Sequence, residues 1–226
     1  MEPSYELESA QKKINSFQPQ TLEVEYSWKK FKSFVTFKSS DSTPSKPLYV
    51  VEYKTMKSQL VFKSAVDDSI LGTGTLHPIS IDAECSVRGQ DIKLKAQKRF
   101  KIEYEYLSTL FSDSENGEPV PMTWVCETGL KKWGFVCLDR KQMPVARFQV
   151  NVWAAKKIGV IELLGTAAER EGVRDEIVVT GLTLFYFTIL RASSIFSFFG
   201  AVFSRPGKEK AGKESKMRDG DGESQG

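Results

Sequence analysis

A mainly β fold, a barrel of about ten to twelve antiparallel strands closed around one long apolar helix near the C-terminus, is what this sequence predicts. Three observations carry the prediction. Short runs of alternating, aromatic or β-branched residues recur with turn signals between them at intervals of about eight to twelve residues. The stretch from Ile92 to Tyr106 holds a period of two along its length. The stretch Asp175 to Arg191, reading DEIVVTGLTLFYFTILR, has no charged face when wound as a helix, so it cannot lie on the outside of a soluble protein. A barrel of about twelve strands is too wide for its own side chains to fill. A greasy helix on its axis removes that void, and at about 25 cal/mol per Å² buried it is a leading contributor to stability.

The elements follow in order. Residues 1–20 are polar and weakly patterned and read as an N-terminal arm. Trp28 to Phe37 reads as a first strand, with Phe31, Val35 and Phe37 alternating with Lys32, Thr36 and Lys38. The run SSDSTPSKP is a loop by composition. Leu48 to Tyr53 and Gln59 to Lys63 are the next strands, and Asp67-Asp68 marks a turn. Ile70 to Ile81 is strand-like but holds Gly72 and Gly74, which suggests a bulge or sharp bend.

From Ile92 to Tyr106 the even positions are apolar and the odd ones charged or polar, a β period broken only at Lys98, where a bend or turn is expected. SDSENGEPVP, centred on Asn116-Gly117, is a loop. Met122 to Glu127 and Trp133 to Leu138 flank a hairpin turn, and Val145 to Trp153 and Ile158 to Leu163 are the last strands. A loop containing Gly165 and Gly172 leads to the helix. In domain terms this places the barrel at 21–203, with its core helix near 174–192 and the residues Ile177, Gly181, Leu184, Phe185 and Phe187 in the core. A disordered basic tail occupies 204–226.

The run WGFVCLDRKQMPVARF, the strand IGVIELL and the start of the helix, DEIVVTGLTLFY, together resemble the tubby C-terminal-like superfamily. Its branches are tubby proteins, phospholipid scramblases and LURP-one-related proteins, and the match is nearest to uncharacterised fungal members. The resemblance covers Lys30 to Arg191 and implies a twelve-stranded barrel threaded by its last helix. Two features depart from the superfamily: the tubby lysine-arginine phosphoinositide motif has no counterpart here, and the apolar sequence runs on past Arg191.

The 226 residues carry a net charge of +3, which by itself does not mark a nucleic-acid binder. Cys85, Cys126 and Cys137 lack metal-ligand spacing, and His77 is the only histidine, so neither zinc nor a disulfide framework is expected. The acidic loop 113–117 misplaces the glycine that a calcium loop needs. No nucleophile–base pair or phosphate loop accompanies His77 or Gly72-Thr73-Gly74. The expectation is therefore a non-enzyme without cofactor or metal, with no small-molecule substrate and no nucleic-acid partner. No secretory signal opens the chain, so an intracellular location, cytoplasmic or peripheral at a membrane, is expected.

Two basic clusters remain as candidates for anionic phospholipid head groups. Lys93, Lys95, Arg99 and Lys101 share the polar side of the alternating stretch, and Lys29, Lys30 and Lys32 surround Trp28 and Phe31. Each cation near an anionic bilayer adds about 1 kcal/mol. Both clusters read equally as solvated strand faces. Phe196, Phe198 and Phe199, in the apolar segment after Arg191, are candidates for membrane contact. The functional expectation is a non-catalytic binding module for anionic lipids or a protein partner at a membrane surface. Two alternatives stay open: a tail-anchored protein held by a helix at 177–203, and a scramblase-like protein by analogy with the superfamily.

Overall fold

The computed structural model describes residues 19–38, 46–77, 80–97, 102–112, 118–129, 132–151 and 156–203, with the backbone alone described for 128, 129, 132 and 193–203. Twelve strands form one closed sheet: β1 Gln20–Ser27, β2 Lys32–Phe37, β3 Pro47–Lys54, β4 Gln59–Ser64, β5 Ile70–Thr75, β6 Ala83–Val87, β7 Gln90–Ala96, β8 Glu103–Ser108, β9 Val120–Gly129, β10 Lys132–Leu138, β11 Pro144–Val150 and β12 Lys157–Leu163. Each pairs antiparallel with its sequence neighbours, and β1 closes on β12 with Gln20 opposite Leu163. A single turn, α1 (Thr166–Glu169), precedes α2 (Glu171–Phe203), which is 33 residues long.

The barrel closes because alternation supplies one apolar face per strand. Leu22 and Val24 on β1, Ala83, Cys85 and Val87 on β6, and Tyr104 and Tyr106 on β8 all point inward and are buried. α2 fills the space they enclose. Ile177, Leu184 and Phe187 are 0% exposed, and Phe185 is 3% exposed. Partners come from around the whole wall: Ser33 of β2, Tyr49 of β3, Trp124 of β9, Phe148 of β11 and Tyr104 of β8 each touch the helix.

The helix sits off the axis. Its backbone runs nearest β5 and β6, where the inward residues are small. A Cβ on Gly72 would meet a Val179 methyl at 3.0 Å, and one on Gly74 would collide with the Thr183 side chain. The two glycines are therefore where strand and helix approach, and the register shift opposite Phe62/Lys63 lies beside them. On the far side the wider gap is filled by rings: Trp124 covers Gly181 at 3.0 Å from where its Cβ would be, and Trp133, Phe135, Phe148 and Phe185 pack against one another.

Several sequence expectations need correction. Trp28–Phe31 is a turn, and the first strand is β1, where Leu22 and Val24 alternate with Glu23 and Glu25. β6 was likewise not expected. The stretch Ile92 to Tyr106 forms two strands, β7 and β8, paired with Ala96 opposite Tyr104, in keeping with the bend or turn expected within it. The inward phase survives the turn because both partners of a cross-strand pair face the same side of the sheet. α2 begins at Glu171, so Gly172 lies in its first turn rather than in a loop, and it continues past Arg191 to Phe203. Asp175, Glu176 and Arg191 are thus interior helix residues.

Candidate functional site at the barrel mouth

The two ends of the barrel differ in chemistry. At the end where α2 enters, polar groups close the barrel. Asp175, 1% exposed, accepts hydrogen bonds from the Tyr49 hydroxyl at 2.6 Å and from Arg88 Nε at 2.8 Å, and the Arg88 guanidinium also reaches Glu171 at 2.8 Å. Arg174 Nε donates to the Tyr49 hydroxyl at 3.1 Å. Burial and the neighbouring Asp175 carboxylate push the Tyr49 phenol up, so it stays a donor.

Glu176, the next residue, is held less well. Its Oε2 accepts from Ser108 at 2.9 Å, while Oε1 is buried without a hydrogen-bond partner. Burial raises its pKa from 4.5 to about 7, against the opposing pull of the Ser108 and Tyr106 hydroxyls. Below pH 4.5 the carboxyl is neutral folded or unfolded. As pH rises through 7 the fold must carry the ionised form, and that stability is lost. Glu176→Gln is therefore expected to be neutral near pH 4.5 and to stabilise by about 3 kcal/mol near pH 8, as read by denaturant unfolding of both proteins at the two pH values. An equal effect at both would remove the carboxylate as the cause.

At the other end, where α2 leaves, the described residues line an apolar opening. A cavity of about 390 Å³ lies between α2 and the wall from β12 through β4. Val51, Leu60 and Leu76 form its buried inner part, and Tyr26, Trp28, Phe31 and Ile189 its lip. The Ser33 and Tyr186 hydroxyls meet within it at 2.7 Å. Burial raises the Tyr186 phenol to about 12, so it stays neutral.

The β1–β2 turn builds the lip. Trp28 is 65% exposed and Phe31 is 66% exposed, with Lys29 and Lys30 exposed between them. Trp28 stacks edge-on against Tyr26 at 4.8 Å, and Lys30 Nζ lies 5.7 Å from the Phe34 ring centre. Phe31 has φ +50°, a left-handed conformation that glycine or asparagine adopts at lower cost than a phenylalanine. The same left-handed conformation recurs at Ser58, Asp68, Arg88 and Gln142, but among these Phe31 alone places a large aromatic ring in solvent. Next to this turn, Met56 is fully exposed in the 3-10 turn Thr55–Lys57.

The candidate head-group residues fall into different settings. Lys29 and Lys30 are at the mouth. Lys32 is bound to Glu52 at 2.7 Å, and Lys54 joins the same carboxylate at 2.8 Å. These two lysines hold the Glu52 pKa down to about 2. Lys93 reaches Asp82 at 3.5 Å and lies opposite Glu84, and Lys95 lies opposite Glu105. Of the expected row of four cations, Lys93 and Lys95 lie on β7, which ends at Ala96. Arg99 and Lys101 lie outside the described residues.

Phe196, Phe198 and Phe199 are on the helical backbone of α2, with their side chains outside the description. Among the described residues no helix is long and apolar enough to cross a membrane, and no group of three or more His, Cys, Asp or Glu could hold a metal ion. Of the segment 177–203 named in the helical-anchor alternative, Ile177 to Phe187 is enclosed by the barrel. What remains, Thr188–Phe203, spans about 24 Å at 1.5 Å per residue, short of the roughly 30 Å hydrocarbon core.

Tyr53, Met56 and Ile189 escaped the sequence reading. The available signal was a set of large apolar residues in turns, Trp28, Phe31 and Met56, where polar residues are the rule. Among the comparisons with known proteins, no family model, no curated protein and no solved structure matches the chain.

Proposed function

We propose that this chain is a non-catalytic, tubby-like binding module that docks on anionic phospholipid membranes through its open barrel mouth. The β1–β2 turn carries the reading, with two exposed aromatic residues bracketing two exposed lysines, one ring held in a strained backbone. Tryptophan favours the membrane–water interface because its ring is apolar and its N–H is wet. The two lysines add about 1 kcal/mol each on an anionic surface. The helix carrying Phe196, Phe198 and Phe199 leaves the barrel at this same end, so its apolar continuation can join the docking face.

Vesicle sedimentation tests the reading. Binding is expected to vesicles rich in anionic phospholipid, to weaken as salt rises, and to fall with Trp28→Ala/Phe31→Ala and with Lys29→Glu/Lys30→Glu. Charge reversal at Lys93 and Lys95 is expected to change it little, since both already face carboxylates. Binding indifferent to all changes in the 28–31 turn would sink the proposal.

A further inference from the structure

We infer that the cavity between α2 and the β12–β4 wall receives one hydrocarbon chain of a membrane phospholipid, whose anionic head stays at the lip beside Lys29 and Lys30. The inference rests on the membrane-surface reading for the source of the lipid, and it adds a specific chain-binding site to it.

The lining chooses the occupant. The inner walls, Val51, Leu60, Leu76, Ile158 and Phe185, offer no hydrogen-bonding side chain, and Tyr26, Trp28 and Tyr53, which carry a hydroxyl or an indole N–H, are part-exposed residues of the lining. The Ser33 and Tyr186 hydroxyls are hydrogen-bonded to each other at 2.7 Å. Among the described residues the backbone of the wall strands offers little, because the barrel is closed and each of these strands is paired on both sides. A peptide entering the cavity would bury N–H and C=O groups without partners, which is strongly unfavourable. A hydrocarbon chain has none to satisfy. Its volume of about 390 Å³ is at the small end for ligand cavities, suited to one chain rather than a globular partner.

The gap also has a structural origin. The helix leans on β5 and β6, and the ring cluster that fills the opposite side is built from β9, β10 and β11. No comparable cluster of described rings wedges the β1–β4 side near the mouth, so space is left there. The lip is amphipathic in the sense a lipid needs, with rings and Ile189 toward the cavity opening and Lys29 and Lys30 exposed beside them.

The test uses the full chain and vesicles of anionic phospholipid doped with a phospholipid that carries a photoactivatable diazirine at the far end of one chain. Labelling per vesicle-bound protein is expected on Val51, Leu60 or Tyr186, in the interior of the cavity. Ile158→Trp, which fills it from the wall, and Ile189→Trp, which fills it from the helix at a partly exposed position, are both expected to abolish that labelling. Circular dichroism confirms the fold of each, and Val66→Asp at the far end serves as control. Wild-type protein that sediments with vesicles but is labelled only at Trp28 and Phe31, or not at all, would overturn the chain site and leave the membrane reading standing. Failure to sediment would instead overturn the membrane reading. A dimer in vesicle-free solution that Ile189→Trp dissociates would assign the cavity to a second copy and overturn the inference.

Discussion

Leu184→Asp is expected to yield no folded protein. Leu184 is 0% exposed in the middle of α2, with barrel wall on every side. Removing the leucine forfeits about 2–5 kcal/mol of packing. The aspartate brings a further penalty of several kcal/mol, since the site has no cation to receive an ionised carboxylate. The sum is comparable to the roughly 5–15 kcal/mol that typically holds a domain together. The whole barrel is at stake rather than one segment, because twelve strands closed without the helix enclose a void that water or collapse must fill. Far-UV and near-UV circular dichroism on purified protein reads the outcome, with Val66→Asp, at an exposed turn, as a control of less than about 0.5 kcal/mol. A soluble, cooperatively folding Leu184→Asp protein would show that α2 is dispensable to the barrel.

The second large effect belongs to Arg88, at the opposite end from the proposed docking face. Arg88→Met is expected to destabilise by about 3 kcal/mol, the lower part of the range for stranding one member of a buried ion pair. Asp175 is 1% exposed while Arg88 is half in solvent, with its guanidinium 2.6 Å from the carboxylate. Water reaching Arg88 softens the loss, but Asp175 would keep only the Tyr49 hydroxyl. Methionine retains the aliphatic stem and the same strained backbone at φ +49°, so the guanidinium is the part removed. Adding Asp175→Asn should recover most of the loss, because position 175 then carries no unpaired charge. Denaturant unfolding of the two single variants and the double variant measures the coupling. Additive effects would mean that the pair contributes nothing as a pair.

These two ends were unequally legible. The alternation at 92–106 and the absence of a polar face on Ile177–Leu190 are local periodicities, and they set the fold class before any contact is known. β1 is hidden by its setting: Leu22 and Val24 alternate with glutamates between a polar arm and an aromatic run, and 21–27 is assigned to the barrel without an element of its own. β6 was hidden by its length, five residues. The aromatic-basic turn at 28–31 stood out in composition, but as the start of a strand, since nothing local says that Phe31 takes a left-handed backbone.

The sequence by itself determined that an apolar helix must be enclosed and that strands of one inward phase would enclose it, because a side chain's face follows from its spacing along the chain. Tertiary structure alone decided what each end does. Tyr49 reaches Asp175 across 126 positions and Arg88 reaches it across 87, and the cavity at the mouth is lined from β1, β2, β3, β4, β12 and α2 together. Such groups meet only when β1 closes on β12, and where the helix leans depends on the absence of side chains at Gly72 and Gly74. Spacing along a chain carries no record of a closure made across its full length.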